Sequence, residues 1–440
     1  MKKILISLIL IFANLLLFSI DDFMLIGSIY FYFCSLFLGI EILIFKKFEV
    51  IHVWMAAFMF IILSEVFTYT PSTIDTNYPD ALRYLITSNN LVLIGYISGL
   101  SNILYPELKI TSSNSKFSTS KLIPFLFIIL ISFYVGFKIK NAILTFSLGR
   151  NVIGTGTNDS FILGSIINAL GYVLPAIIAY YYIILKEESF RKAFILSAPI
   201  FLILFMNGTR FPLLFAVLGF VLVAQSKNNK KEKSNSLFFI GSVVIALFLL
   251  TTVMKHIRSS TTRDTDIVFV ESYSSFSSFP AYASSFMSPE GVVDMTSLLF
   301  KYFDTNEFKY GSSSSFILYF WVPRSVWEDK PTMLGYWLIR EFRSGYSDGH
   351  SSSFGFTGDF YADFGYFSYI PIFFIGTFLR WFEDYRIRAI KENSFSIVVA
   401  SMLLPYCFFF VRSPITSTMN FIAILLFYSI FKKILFSVKK

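Results

Sequence analysis

Residues 193–225 read AFILSAPIFLILFMNGTRFPLLFAVLGFVLVAQ, two apolar runs separated by Asn207-Gly208-Thr209-Arg210. A helix that crosses a bilayer needs about twenty apolar residues, and fewer when it is buried among other helices. Two short spans joined by a tight polar turn are the natural reading. The rest of the chain repeats the pattern. Of its 440 residues 55% are apolar and only 15% charged, with a mean hydropathy of +0.65. A soluble chain of this length has too little charge here to cover its surface, so lipid is the expected solvent.

Scanning outward from that stretch places about twelve spans, near 4–20, 23–45, 50–68, 84–104, 122–140, 161–185, 193–207, 211–225, 237–254, 359–380, 395–411 and 415–431. The expected fold is an all-α polytopic membrane protein. Residues 1–254 carry nine spans, 255–358 form one large external loop with partly helical or re-entrant segments, and 359–440 carry three spans. The opening MKKILISLILIF imitates a signal peptide but lacks a small-x-small cleavage site, so it reads as a retained first span. Cys34 and Cys407 lie inside apolar runs and read as inert packing residues. TSSNSKFSTS (111–120) reads as a flexible linker.

Orientation follows from Lys and Arg in short loops. With the N-terminus inside, the cytoplasmic segments hold 18 Lys and 4 Arg, and both termini are cytoplasmic. The net charge of +9 is then a topology signal. No soluble basic domain exists to bind nucleic acid. The external side holds 9 Arg (83, 150, 210, 258, 263, 324, 340, 343 and 412) and 6 Lys. Lys is enough for a topology determinant, whereas Arg offers a planar fork for phosphate or carboxylate. Several of these Arg sit at span ends, where a charge needs a partner. Arg210 opens a span after Gly208, with Pro212 in its first turn, and Arg412 in FFFVRSPIT has the same placement. The plainer alternatives are snorkelling or pairing with an acid from another span. Lys255, His256 and Arg258 form a basic cluster after the ninth span, suited to a lipid headgroup as well as to a substrate.

Residues 320–331, FWVPRSVWEDKP, resemble the PR-x-x-W-x-x-KP element of Wzy-type O-antigen polymerases, which join lipid-linked oligosaccharide repeat units. Gly208-Thr209-Arg210 resembles a G-x-R element opening a span. Residues 355–365, GFTGDFYADFG, resemble the family's G-[ED]-x-Y-x-x-FG stretch, with Asp359 where relatives often carry Glu. The resemblance covers roughly 205–380 and the overall span count. It implies a bacterial plasma-membrane glycosyltransferase, metal-independent and without a cofactor, in a helical architecture akin to the GT-C class. Its donor and acceptor would be oligosaccharides on undecaprenyl diphosphate, with membrane lipid and a chain-length regulator as further partners. The growing chain would pass to a new unit at the outer face, and undecaprenyl diphosphate would leave.

Such a transfer develops negative charge on the leaving diphosphate, which Mg²⁺ or a fixed Arg cluster can stabilise. Arg210, Arg258, Arg324, Lys330 and Arg412 are the candidates. The acceptor hydroxyl calls for a general base, for which His350, Asp359 and Asp363 are candidates. The alternatives are a solvated His350 and carboxylates that pair with an outer Arg. Asp359 and Asp363 share one helix face if a helix has begun there. Asp264-Thr265-Asp266 has the D-x-D form of metal-dependent glycosyltransferases, a pattern common by chance. Aromatic residues of the loop, among them Tyr302, Trp327 and Tyr346, suit sugar stacking and interfacial anchoring equally. Two other functions share part of this signature. An O-antigen-ligase-like transferase would differ in its acceptor. A flippase needs ionisable groups near mid-span, whereas Glu41, Glu65 and His52 lie toward span ends.

Overall fold

The structure is a computed structural model, and it describes residues 20, 22–44, 49–63, 65–66, 77–105, 122–148, 161–207, 210–227, 291–319, 322, 326–330, 334–342, 354–413, 415 and 419–436. The expected spans at 4–20 and 237–254 and the linker at 111–120 lie outside the described residues. Every regular element among the described residues is helical.

Four helical stretches among the described residues are long and apolar enough to cross a membrane: Met24–Ile42, Leu122–Leu144, Ile166–Leu185 and Gly355–Lys391. Val50–Leu63, Pro212–Ser226 and Ser396–Arg412 are apolar but shorter. These helices point to a membrane protein. Leu122–Leu144 is the plainest case, since Phe125, Ile128, Phe133, Phe137 and Ile143 all lie exposed along it. Water would penalise such a surface, while acyl chains accept it.

The chain divides into two compact units. The first contains residues 1–108, 287–384 and 407–418. Its helices are α1 (Phe23–Gly39), α2 (Val50–Phe58), α3 (Tyr78–Ser98) and α4 (Ser101–Leu104), then α9 (Val292–Phe303), α10 (Phe316–Tyr319), α11 (Leu334–Phe342) and α12 (Gly355–Phe364). Most of α13 (Tyr369–Lys391) and the end of α14 (Ser396–Arg412) complete it. Local chemistry sets the ends of these helices. The Asp22 carboxylate accepts the N–H groups of Met24 and Leu25 at 2.8 and 3.2 Å, capping α1. Pro79 sits in the first turn of α3, where a missing N–H costs nothing. Gly99 ends α3 in the left-handed conformation, with φ of 79°.

Polar side chains tie α1, α2 and α3 together. The Asn89 amide donates to the Tyr30 hydroxyl at 2.8 Å, the Trp54 indole donates to Asn89 Oδ1 at 3.0 Å, and the Tyr30 hydroxyl donates to Asn90. All four residues are buried, and interhelical bonds of this kind contribute about 0.6–2 kcal/mol each in apolar surroundings. At the other end of α3 the Tyr96 hydroxyl donates to Glu49 at 2.6 Å, and Arg380 lies 2.9 Å from Asp384 and 3.7 Å from Glu49. Between these layers α3 and α13 cross at glycines. A Cβ at Gly95 would stand 2.2 Å from the Phe373 carbonyl oxygen, and one at Gly376 2.1 Å from that of Val92. Small residues allow such backbone approach between membrane helices.

The second unit contains residues 109–286, 385–406 and 419–440. It includes α5 (Leu122–Leu148), α6 (Phe161–Ala179), α7 (Phe190–Met206), α8 (Arg210–Ser226) and α15 (Met419–Phe436). Its axis is α6, almost wholly buried from Ile167 to Ala179. Aromatic pairs close the core around it: Tyr172 with Phe215, Phe215 stacked on Tyr406 at 4.8 Å, and Phe127 against Tyr181 at 5.3 Å.

Candidate functional site

Three buried carboxylates help to hold the first unit together, and each takes backbone N–H groups of a distant segment. Glu65 accepts from Val293 at 3.1 Å and Asp294 at 3.0 Å. It thereby caps α9 from outside, where Gly291 supplies the helix entry with φ of 72° but no side-chain cap. Unpaired N–H groups and the helix dipole both favour an anion at that point.

Asp359 and Asp363 stand on α12. The helix begins at Gly355, so both residues share one face, and they are 1% and 0% exposed. Asp359 accepts the N–H of Ile415, just past the end of α14. Asp363 takes two donors in succession, Ser313 at 2.9 Å and Ser314 at 2.7 Å. Two backbone bonds extend the same seam, Lys309 N–H to the Ala362 carbonyl at 2.8 Å and Tyr310 N–H to that of Asp363 at 3.1 Å. Residues 309–315 are therefore bound to the last turn of α12.

Two glycines make α12 possible. Gly355 has φ of 67° and lies so close to α14 that a Cβ would meet the Val411 carbonyl oxygen at 2.4 Å. Gly365 ends the helix at φ 57° and ψ −136°, a conformation open essentially to glycine alone. The Tyr84 hydroxyl fixes α12 from α3, donating to the Thr357 carbonyl at 2.9 Å and meeting Ser368 Oγ at 2.8 Å. Rings fill the space between, with Phe300 stacked on Tyr361 at 4.1 Å and Tyr84 on Tyr369 at 5.3 Å.

From this seam the chain runs into a small lobe, described at residues 309–319, 322 and 326–330, carrying α10. The Tyr319 hydroxyl returns to the Ser312 carbonyl at 2.8 Å, and Trp327 packs on Tyr319 at 5.2 Å. Lys330 is 8% exposed. Its ammonium donates to the Val322 carbonyl at 2.9 Å and lies 5.0 Å over the Phe316 ring, so it closes the lobe on itself. Lys309 lies 4.1 Å over the Trp337 ring of α11. Burial pulls its ammonium below the ordinary lysine value, against the upward pull of Asp363 and Glu341.

The other expected site residues are distributed as follows. Arg412, half-exposed, ends α14 three residues before Ile415. Arg210 is the first residue of α8, in the second unit, and its side chain lies outside what is described. His350, Arg258 and Arg324 lie outside the described residues, as do Asp264 and Asp266. Within the first unit the structure thus brings together Asp359, Asp363 and the lobe that carries Lys330.

No known protein-family model, curated protein or solved structure matches the chain. A cavity beneath α12, lined by Trp54, Phe58, Asn89, Phe356 and Thr357 among others, has a volume of about 10 Å³. That holds a single water and no sugar or phosphate. Among the described residues no three His, Cys, Asp or Glu side chains come together as metal ligands.

In the sequence Asp359 and Asp363 are candidates for a base or for pairing with an Arg. The partners found are backbone amides, and each carboxylate locks two segments together. Glu65 lies near the end of an apolar run. Its signal was an acid closing an apolar run, a group that must find a donor when buried. The run Ser312-Ser313-Ser314-Ser315 carried a weaker one, since small residues leave successive N–H groups accessible to one carboxylate.

Proposed function

We propose that the chain is a polymerase of undecaprenyl-diphosphate-linked oligosaccharide repeat units, transferring the growing glycan to a new lipid-linked unit at the outer face of a bacterial plasma membrane. About twelve spans with cytoplasmic termini and an external segment at 255–358, in a GT-C-like architecture, form part of the same reading. Its main support is the coupling of the two sequence elements that resemble the family. The lobe bearing Trp327 and Lys330 of the first element is hydrogen-bonded through Ser313 and Ser314 to Asp363 of the second. The described part of the first motif is thus tied to the second through the segment that precedes it.

On this reading the diphosphate of the donor lies where arginines meet the headgroup layer. Arg324 precedes Trp327 by three residues, and Arg210 and Arg412 each stand at a helix end. Guanidinium groups bind phosphate oxygens in pairs and hold the charge that grows as the glycosidic phosphate bond breaks. Arg258 joins the same set, and Lys330 keeps the lobe in shape beside it. Asp359 and Asp363 hold the platform, and His350 is the candidate to take the proton from the acceptor hydroxyl.

Cells lacking the protein should display surface glycan of one repeat unit, with the longer ladder gone. Arg324→Ala and Arg210→Ala should do the same. Complete loss of surface glycan would favour a flippase instead, and unchanged ladders in both variants would remove these arginines from the site.

A further inference from the structure

We propose that residues 309–319 and 326–330 form an interfacial lobe that inserts Leu318, Val326 and Trp327 into the membrane leaflet at which α13 begins. The inference rests on the chain spanning a membrane and is independent of the polymerase reading.

The lobe carries apolar side chains that water would not favour. Leu318 is 73% exposed, Val326 77% and Tyr310 74%, and Trp327 is also exposed. Their placement points to lipid as the partner. Four hydrogen bonds fix residues 309–314 to the last turn of α12: those of Lys309, Tyr310, Ser313 and Ser314. Immediately after that turn the chain passes Gly365 and enters α13, the continuation of a stretch long and apolar enough to cross a membrane. The first residues of that passage, Phe367 at 78% and Ile370 at 60%, are exposed, and Phe374 follows one turn later. Phe364, exposed at the end of α12, adjoins Gly311 of the lobe, since a Cβ there would lie 3.7 Å from its ring. The lobe therefore adjoins the end of α12 from which the chain enters the apolar stretch of α13.

Chemistry also sets the depth. Glu328 and Asp329 are exposed beside Val326 and Trp327, and carboxylates do not enter hydrocarbon. Trp and Tyr prefer the headgroup boundary, with an apolar body and a polar tip. Leu318 and Val326 dip below that level while Tyr310 and Trp327 straddle it. The element containing Lys330 then lies at the height of lipid phosphates.

The test uses full-length protein in nanodiscs of phosphatidylethanolamine and phosphatidylglycerol. Leu318→Cys and Val326→Cys each receive a nitroxide label. Native Cys34 and Cys407 are buried, which keeps background labelling low. Collision with oxygen, which partitions into lipid, is compared with collision with a water-soluble nickel chelate. Phe374→Cys serves as the lipid reference and Lys301→Cys, exposed on α9, as the solvated one. Labels at 318 and 326 should favour oxygen, as at 374, with the preference reversed at 301. Tyr310→Cys gives an independent reading should either variant fail to fold. The proposal is overturned if 318 and 326 behave like 301. It is equally overturned if neither reagent reaches them, the mark of a protein partner on that face. No substrate enters the measurement, so its outcome is separate from that of the glycan profile.

Discussion

Replacing Asp363 by alanine removes the acceptor for two backbone donors at once. The Ser313 and Ser314 N–H groups reach its carboxylate at 2.9 and 2.7 Å. A hydrogen bond to a charged group contributes about 1.5–3 kcal/mol, and a donor left without an acceptor loses a similar amount. Water can replace part of this at the half-buried serines, so a net loss of about 3 kcal/mol in the docking of the lobe is expected. At about 1.4 kcal/mol per tenfold, the ratio of docked to undocked lobe should fall roughly a hundredfold. The two backbone bonds from Lys309 and Tyr310 remain, because their acceptors are carbonyls. Hydrogen exchange of the purified protein reads this directly. Amides of 313–319 should exchange faster by up to that factor, while those in the middle of α13 stay unchanged. Asp363→Asn, which keeps one acceptor oxygen, should lie between. Unchanged protection of 313–319 in Asp363→Ala would refute the clamp and the coupling of the two motifs drawn from it.

Glu65→Ala should strip the first turn of α9 of its acceptors for Val293 and Asp294, costing about 1–3 kcal/mol. Faster exchange confined to the start of α9 is the expected readout, and no change there would show that another group caps the helix. Gly376→Ala places a methyl group 2.1 Å from the Val92 carbonyl and should destabilise by at least about 1–3 kcal/mol. Gly136, with nothing within 4 Å of a Cβ, should tolerate alanine or gain up to about 1 kcal/mol. Thermal unfolding in detergent should therefore separate the two by several degrees in opposite directions. Arg324→Lys should restore long glycan poorly in cells, because a point charge does not reproduce the paired donors of a guanidinium. Full rescue by lysine would mean that charge alone is used.

Much of the helical framework is legible in the amino-acid order, because hydrocarbon thickness imposes a length and an apolarity that composition displays. Met24–Ile42, Leu122–Leu144 and Ile166–Leu185 fall within or close to the runs read from it. α3 is less apolar than its neighbours, since Asn89 and Asn90 sit in its middle, and only the structure supplies their partners in Tyr30 and Trp54. The helix of Asp359 begins at Gly355 rather than at 359. That shift follows from the tight contact of Gly355 with Val411, which no local pattern announces. The partners of Asp359, Asp363 and Glu65 were illegible for a general reason. Every residue but proline carries an N–H, so a carboxylate bound to backbone leaves no complementary side chain to find. Lys330 reads as one more cation for a phosphate, and yet its ammonium turns inward to Val322.

The account depends on the turn at Arg210 and the lobe behind Arg324 facing the same side of the membrane. Asn207→Cys and Glu328→Cys, three and four residues from these arginines in sequence and at least partly exposed, can be labelled in intact spheroplasts with a thiol reagent that does not cross the bilayer. Both should react fully from outside, with no further labelling after permeabilisation. Reaction of one position only after the membrane is opened would put the two arginines on opposite faces, and no shared diphosphate site could then exist.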